Sequence, residues 1–204
     1  MSDKVFSCLQ CGNCCKTKFL CLYPHELEKA TKLAQQLNIN LEFEPLLSRI
    51  DFKNKVILDL IYKLKIRPCP FYIENKCLIH DKRFIACKKY PYANWTKTPK
   101  LFVKLMKFPE YFYELDTKCS FISKFYPSKR NIPDHIFPLE YKALKMDMTV
   151  FQKIEDKLNE LNDKSIIELK KEIKFKESFP EQYKNIQNNW EHIPFTNYLP
   201  LNDQ

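Results

Sequence analysis

Residues 8–15 read Cys8-Leu9-Gln10-Cys11-Gly12-Asn13-Cys14-Cys15, four cysteines in eight positions. Two C-x2-C steps let neighbouring sulfurs grip one metal while the intervening backbone N–H groups turn towards them. A residue able to take positive φ helps to close such a knuckle. Gly12, the one glycine in 204 residues, follows Cys11 directly. Vicinal Cys14 and Cys15 point in different directions, so one can join Cys8 and Cys11 while the other reaches a second centre or a distant loop.

Four more cysteines, Cys69, Cys77, Cys87 and Cys119, are strung out behind this run, and Cys21 is a ninth. The start, M-S-D-K-V-F-S-C-L-Q, lacks the apolar stretch of a secretory signal. No apolar run approaches the length of a bilayer crossing. The expectation is therefore a cytoplasmic protein with no membrane partner. In a reducing compartment clustered cysteines are metal ligands rather than disulfides, and an odd total of nine fits a disulfide framework poorly. Cys21, inside F-L-C-L-Y, reads as a core residue.

A hydrophobic content of 45% with 14% aromatics is that of a packed domain, not a disordered chain. The net charge is +9, yet only four of the 34 basic residues are arginines, Arg49, Arg67, Arg83 and Arg130. Nucleic-acid recognition favours the planar fork of arginine, so lysines scattered along the chain read as a solvated surface and speak against a nucleic-acid partner. No nucleophile elbow, Walker loop or H-E-x-x-H occurs, and a single glycine excludes a G-x-G-x-x-G cofactor loop. No catalytic residue is assigned.

Pro24 suits the first position of a helix, with Glu26 and Glu28 in its first turn. Leu27, Ala30, Ala34 and Leu37 would form its apolar stripe. Residues 45–64, with Leu46, Leu47, Ile50, Ile57, Leu60, Ile61 and Leu64, predict a second helical region. Short apolar runs around Glu74-Asn75 predict a hairpin over residues 69–80, bringing Cys69 and Cys77 towards one end. A short helix over 81–88 would present Cys87, and strands at 100–108 and 110–116 would deliver Cys119. Prolines 127, 133 and 138 mark a linker. Beyond it an amphipathic helix carries Phe151, Ile154, Leu158 and Leu161. Ser165 and Glu168 form a capping box opening another helix, with Leu169 and Ile173 inward. Tyr183, Trp190, Phe195 and Tyr198 would pack as an irregular apron. The expected fold is α+β: a small irregular cysteine-rich, metal-stapled core with β-hairpins and peripheral helices, plus a C-terminal helical extension. Residues 1–125 would form the metal-binding domain and 126–204 the helical extension.

Two metals compete. Eight cysteines could furnish two structural zinc sites of four thiolates each. Alternatively, Cys8, Cys11 and Cys14 with the remote Cys69-Pro70 match the C-x2-C-x2-C…C-P arrangement that ligates a [4Fe–4S] cluster. Three closely spaced cysteines and a C-P suit an iron–sulfur cluster better than paired zinc knuckles.

These motifs, C-x2-C-G-x-C-C at Cys8 to Cys15, C-P-F at Cys69, then Cys77-Leu78-Ile79, Arg83, Cys87, Tyr90-Pro91 and Cys119, resemble the YkgJ-type cysteine-cluster family of zinc- or iron-chelating CxxCxxCC domains. The resemblance runs from residue 8 to about residue 120. It implies metal ligation by Cys8, Cys11, Cys14, Cys15, Cys69, Cys77, Cys87 and Cys119. Three positions depart from the family pattern: His80 replaces a tyrosine, Phe84 a proline and Lys88 an arginine. His80, at the end of the predicted hairpin, reads as an exposed side chain that could instead donate a nitrogen to zinc. A similar cluster occurs in bacterial flagellin lysine N-methylases, which implies as an alternative a protein-modifying enzyme using the cluster with S-adenosylmethionine. A third reading is a zinc-stabilised interaction module. No particular protein partner follows from the sequence.

Overall fold

The computed structural model describes residues 5–97, 111–126, 132–161 and 169–197, with the side chains of 94–97, 111, 112, 169 and 170 left aside. Along the chain run α1 (Asn13–Thr17), β1 (Cys21–Leu22), α2 (Pro24–Gln36), β2 (Phe43–Asp51) and β3 (Val56–Leu64). Next come β4 (Tyr72–Ile73), β5 (Lys76–Cys77), α3 (Ile85–Lys88), β6 (Tyr92–Lys97), β7 (Tyr111–Leu115) and α4 (Ser120–Phe125). The last elements are α5 (Pro138–Leu161), α6 (Leu169–Ser178), α7 (Pro180–Asn189) and β8 (Glu191–Pro194). The fold is α+β, as expected. Among the described residues no helix is long and apolar enough to cross a membrane.

The chain folds into two compact units that interleave in sequence. The first takes residues 1–18 and 71–148, and the second takes residues 19–70 and 149–204.

In the second unit, the helix expected over 45–64 is instead an antiparallel hairpin of β2 and β3, with Ile50 opposite Ile57 and Asp51 opposite Val56. The turn between them is set by Asp51, whose Oδ1 accepts from the backbone N–H groups of Lys53 and Asn54 at 3.0 and 3.2 Å. Lys55 completes it at φ 54°. Ile57, Leu58, Asp59 and Leu60 are consecutive and all buried, so β3 is covered on both faces. Such a strand has no alternation, and its aliphatic spacing matches a helix equally well. The free edge of β3 is shared by β1, paired at Tyr62 and Lys63, and by the parallel β8, paired from Val56 to Asp59.

Helix α2 begins at Pro24 as expected, with the Tyr23 N–H donating to Glu26 Oε2 at 3.3 Å. Its buried face is Ala30, Leu33 and Ala34, whereas Leu37 is exposed. Helix α6 also departs from the expected facing. Ile173 is 49% exposed and Glu172 points inward, accepting from the Tyr183 hydroxyl at 3.1 Å. Ser165 and Glu168 lie outside the described residues. The aromatic tail is regular rather than an apron: Tyr183 sits on α7, Trp190 precedes β8, and both pack with Phe175 against Ile50, Ile57 and Ile186. Phe195 is buried, and Tyr198 lies outside the described residues.

The first unit is built around aromatics. Tyr92, Phe121, Ile122, Tyr126, Ile132, Ile136, Phe137 and Leu144 form its core with Cys119. Ile132, Ile136 and Phe137 therefore belong to a core where a linker was expected. The Phe6 N–H donates to the Ile136 carbonyl at 2.7 Å, and the Phe6 ring packs edge-on against Phe121 at 4.9 Å. This contact anchors the segment leading to Cys8. The Glu74-Asn75 hairpin is present, both residues at positive φ (49° and 61°), with Tyr72 opposite Cys77. The second strand pair joins β7 to β6 at 92–97. The expected partner, 100–108, lies outside the described residues. Helix α5 starts at Pro138 and ends at Leu161, opening well before Phe151. Ile154 is its deeply buried residue near that end.

Candidate metal centre

The cysteine loop is held from three sides. Gly12 takes φ 75° and caps α1, which carries Cys14 and Cys15. The Tyr72 ring lies so close that a Cβ at Gly12 would stand 2.0 Å from it, and the Tyr72 hydroxyl donates to the Cys11 carbonyl at 3.3 Å. Only glycine satisfies both the backbone angle and this approach. Asn13 Nδ2 donates to Ser120 Oγ at 3.0 Å and to the Lys118 carbonyl at 3.1 Å, tying α1 to the start of α4. The Ser120 hydroxyl in turn donates to Cys11 Sγ at 3.1 Å. Lys18 and Asp116 add an ion pair at 2.9 Å, and the Asp116 carbonyl accepts from the Cys119 N–H.

Cys8, Cys11, Cys14, Cys15, Cys77, Cys87 and Cys119 all line one cavity, together with Tyr72, His80, Arg83 and Tyr90. Four segments bring them there: the Cys8–Cys15 loop, β5, α3 and the N-cap of α4. The cavity is about 60 Å³, several times the ~10–15 Å³ that one water needs. Cys69 falls in the second unit and does not line it. Cys21 falls there too, on β1.

The sulfurs influence one another. Cys14 Sγ and Cys15 Sγ are 3.9 Å apart, a thiol–thiol hydrogen-bond contact. Hydrogen bonding from Cys15 lowers the Cys14 thiol to about 7 and the Cys77 thiol to about 6. Burial raises the Cys8 and Cys119 thiols, and negative charge on their cysteine neighbours adds to it. Arg83 works the other way on Cys8 and Cys77. Its Nε is fixed by donating to the His80 carbonyl at 2.9 Å. Among the described residues, no group of three or more His, Cys, Asp or Glu side chains already stands at ligating geometry. The donor set nevertheless suits a thiophilic metal in kind: seven soft donors line one cavity.

Two groups in the cavity escape a reading by spacing. The His80 imidazole is largely covered, its Nε2 buried without a hydrogen-bond partner, where an exposed side chain was expected. The Tyr90 hydroxyl is also buried, with no hydrogen-bond partner among the described residues. Burial, with the negative charges of Asp116, Cys119, Cys14 and Cys11, raises its pKa far above the ordinary tyrosine value.

The family model described as "Putative zinc- or iron-chelating domain", CxxCxxCC, matches residues 7–120. The chain belongs to the CxxCxxCC family. All seven cavity cysteines lie within the matched span, and the family's chelating character accords with a cavity built of thiols. No curated protein and no solved structure matches the chain.

Proposed function

We propose that the first unit is a metal-binding module holding a polynuclear metal–thiolate centre in the cysteine-lined cavity. The convergence of seven cysteines from four segments on that one cavity carries the reading. A tetrahedral ion takes four donors, so seven call for more than one metal ion. Charge on Cys11 and Cys14 acts on Cys8, and charge on Cys8 and Cys11 acts on Cys119, while Cys14 also touches Cys15 and feels Cys77. That supports a [4Fe–4S] cluster on the C-x2-C-x2-C run, with Cys119 as its distant fourth ligand and two zinc ions as the competing occupancy. When bound, such a centre supplies either redox capacity or structural cross-linking. The chain's own residues orient the thiolates, offset their charge through Arg83 and cover them with Tyr72 and Tyr90. Cys69 stands outside this arrangement.

Anaerobic purification followed by metal and acid-labile sulfide analysis tests the proposal. Two or more metal ions per chain, with sulfide if the centre is iron–sulfur, are expected. A chain that takes up one metal ion or none under saturating conditions rules the reading out.

A further inference from the structure

The cavity holds an eighth donor that is not a cysteine. We propose that His80, through Nε2, completes a second tetrad with Cys15, Cys77 and Cys87, a Cys3His site suited to zinc.

This inference rests on the polynuclear reading and divides its ligands. If Cys8, Cys11, Cys14 and Cys119 take one centre, then Cys15, Cys77 and Cys87 remain on the same cavity, one ligand short of a tetrahedron. Cys15 is hydrogen-bonded both to Cys77 and to Cys14, so it stands where the two centres adjoin and already meets one of its own partners. His80 lies three residues beyond Cys77 and seven before Cys87, in a 3-10 turn over His80–Lys82 that joins the two cysteine-bearing elements. The turn is fixed at both ends: the Lys82 N–H donates to the Ile79 carbonyl at 2.9 Å, and Arg83 Nε donates to the His80 carbonyl at 2.9 Å.

The imidazole itself points to a ligand. Its Nε2 is buried, lines the cavity and has no hydrogen-bond partner among the described residues. A buried polar atom left unpaired loses its hydration without compensation, so a native site that retains one ordinarily has something to satisfy it. The far nitrogen, Nδ1, faces Asp81 Oδ1 at 3.6 Å. At that distance no hydrogen bond forms, so Asp81 leaves Nδ1 free to carry the ring proton when Nε2 is given to a metal. Charge argues the same way. Three thiolates and a neutral imidazole leave a zinc site at −1, whereas a fourth thiolate would leave it at −2 beside an already anionic neighbour.

The test uses the full chain, purified anaerobically and supplied with zinc alone, and reads the first coordination shell by X-ray absorption at the edge of each bound metal. The wild-type chain should show a nitrogen scatterer at about 2.0–2.1 Å beside sulfur. His80→Ala should lose that nitrogen and the occupancy of one site. His80→Cys should keep the occupancy and convert the shell to sulfur alone, which guards against mistaking misfolding of the alanine variant for loss of a ligand. Two or more metals in all-sulfur shells, unaltered in His80→Ala, overturn the histidine ligand and leave the polynuclear centre standing. Fewer than two metals per chain overturns both.

Discussion

Around Asp59 the second unit closes its buried polar groups, whereas the cavity of the first unit leaves them open. The Asp59 carboxylate accepts from Ser48 Oγ at 2.7 Å, from the Tyr62 hydroxyl at 3.1 Å and from the His192 ring at 2.9 Å. In the first unit, Tyr92 and Tyr113 both reach Asp134, and Lys89 pairs with Asp147 at 2.6 Å, but these bonds lie outside the cavity lining. Within it, His80 Nε2 and the Tyr90 hydroxyl have no hydrogen-bond partner among the described residues, and the Cys14 and Cys15 thiols touch. The Asp59 carboxylate finds within the polypeptide the donors that its burial requires. The cavity lining, by contrast, keeps two buried polar atoms without a partner among the described residues.

Removing metal should separate the two units most sharply. Chelation of the anaerobically loaded chain is expected to abolish amide protection in residues 71–97 and 111–126 while leaving β2 and β3 protected, as hydrogen exchange with mass spectrometry would report. The scale is that of structural zinc, about 10–16 kcal/mol of coupled folding energy. Equal loss in both units would erase the distinction.

The reverse experiment strikes the second unit. Ile57 is fully buried against Ile50, Ile186 and Trp190. Ile57→Ala should cost about 2–5 kcal/mol. In a Trp95→Phe background, Trp190 fluorescence would follow the lowered denaturation midpoint, and metal content should stay unchanged. Loss of metal in this variant would show that the units depend on each other for loading.

Gly12→Ala probes the cysteine loop. Positive φ and the Tyr72 ring both oppose a Cβ there, at a cost of about 1–3 kcal/mol. Metal occupancy should fall, and adding Tyr72→Ala should restore part of it by removing the clash while leaving the backbone strain. No change in occupancy would mean that the knuckle does not need its glycine.

The smallest effect concerns Glu172, whose carboxyl burial raises above the ordinary range against the pull of Tyr183 and Arg49. Because the folded form holds its proton more tightly than the unfolded one, its contribution is full below the unfolded value near 4.3 and is lost as pH rises through the folded value. The denaturation midpoint from Trp190 should therefore drift down across that window, and Glu172→Gln should flatten the drift. An identical slope in both chains would place the pH dependence elsewhere.

Local chemistry was the part most legible in the sequence. Glu74-Asn75 marks a turn because both residues tolerate positive φ, and the spacing from Cys8 to Cys15 announces a chelating loop whatever surrounds it. Residues 45–64 were misread because Leu46, Leu47, Ile50, Ile57, Leu60 and Ile61 satisfy a helical repeat as well as a doubly covered strand. The arbiter was Asp51 with its Asn54 partner, a turn signal between two β-rich halves. Ile173 faces outward against expectation because Tyr183 and Arg49, distant in sequence, make burial of the neighbouring Glu172 carboxyl tolerable. His80 and Tyr90 stayed hidden for a similar reason: whether a polar atom is left without a partner depends on chain that folds over it from elsewhere.

The interleaving of the two units has a consequence for synthesis. Cys8 to Cys15 leave the ribosome first, but their cavity also needs Cys77, Cys87 and Cys119. The stretch from Cys15 to Cys119 takes about 5–20 s to make at typical elongation rates of ~5–20 residues per second. On the proposed ligand set, the four thiols from Cys8 to Cys15 wait through that interval while the intervening residues 19–70 emerge. Loading is therefore a late event in the life of each molecule, and a cell making this protein must keep those early thiols reduced until the last of their partners arrives.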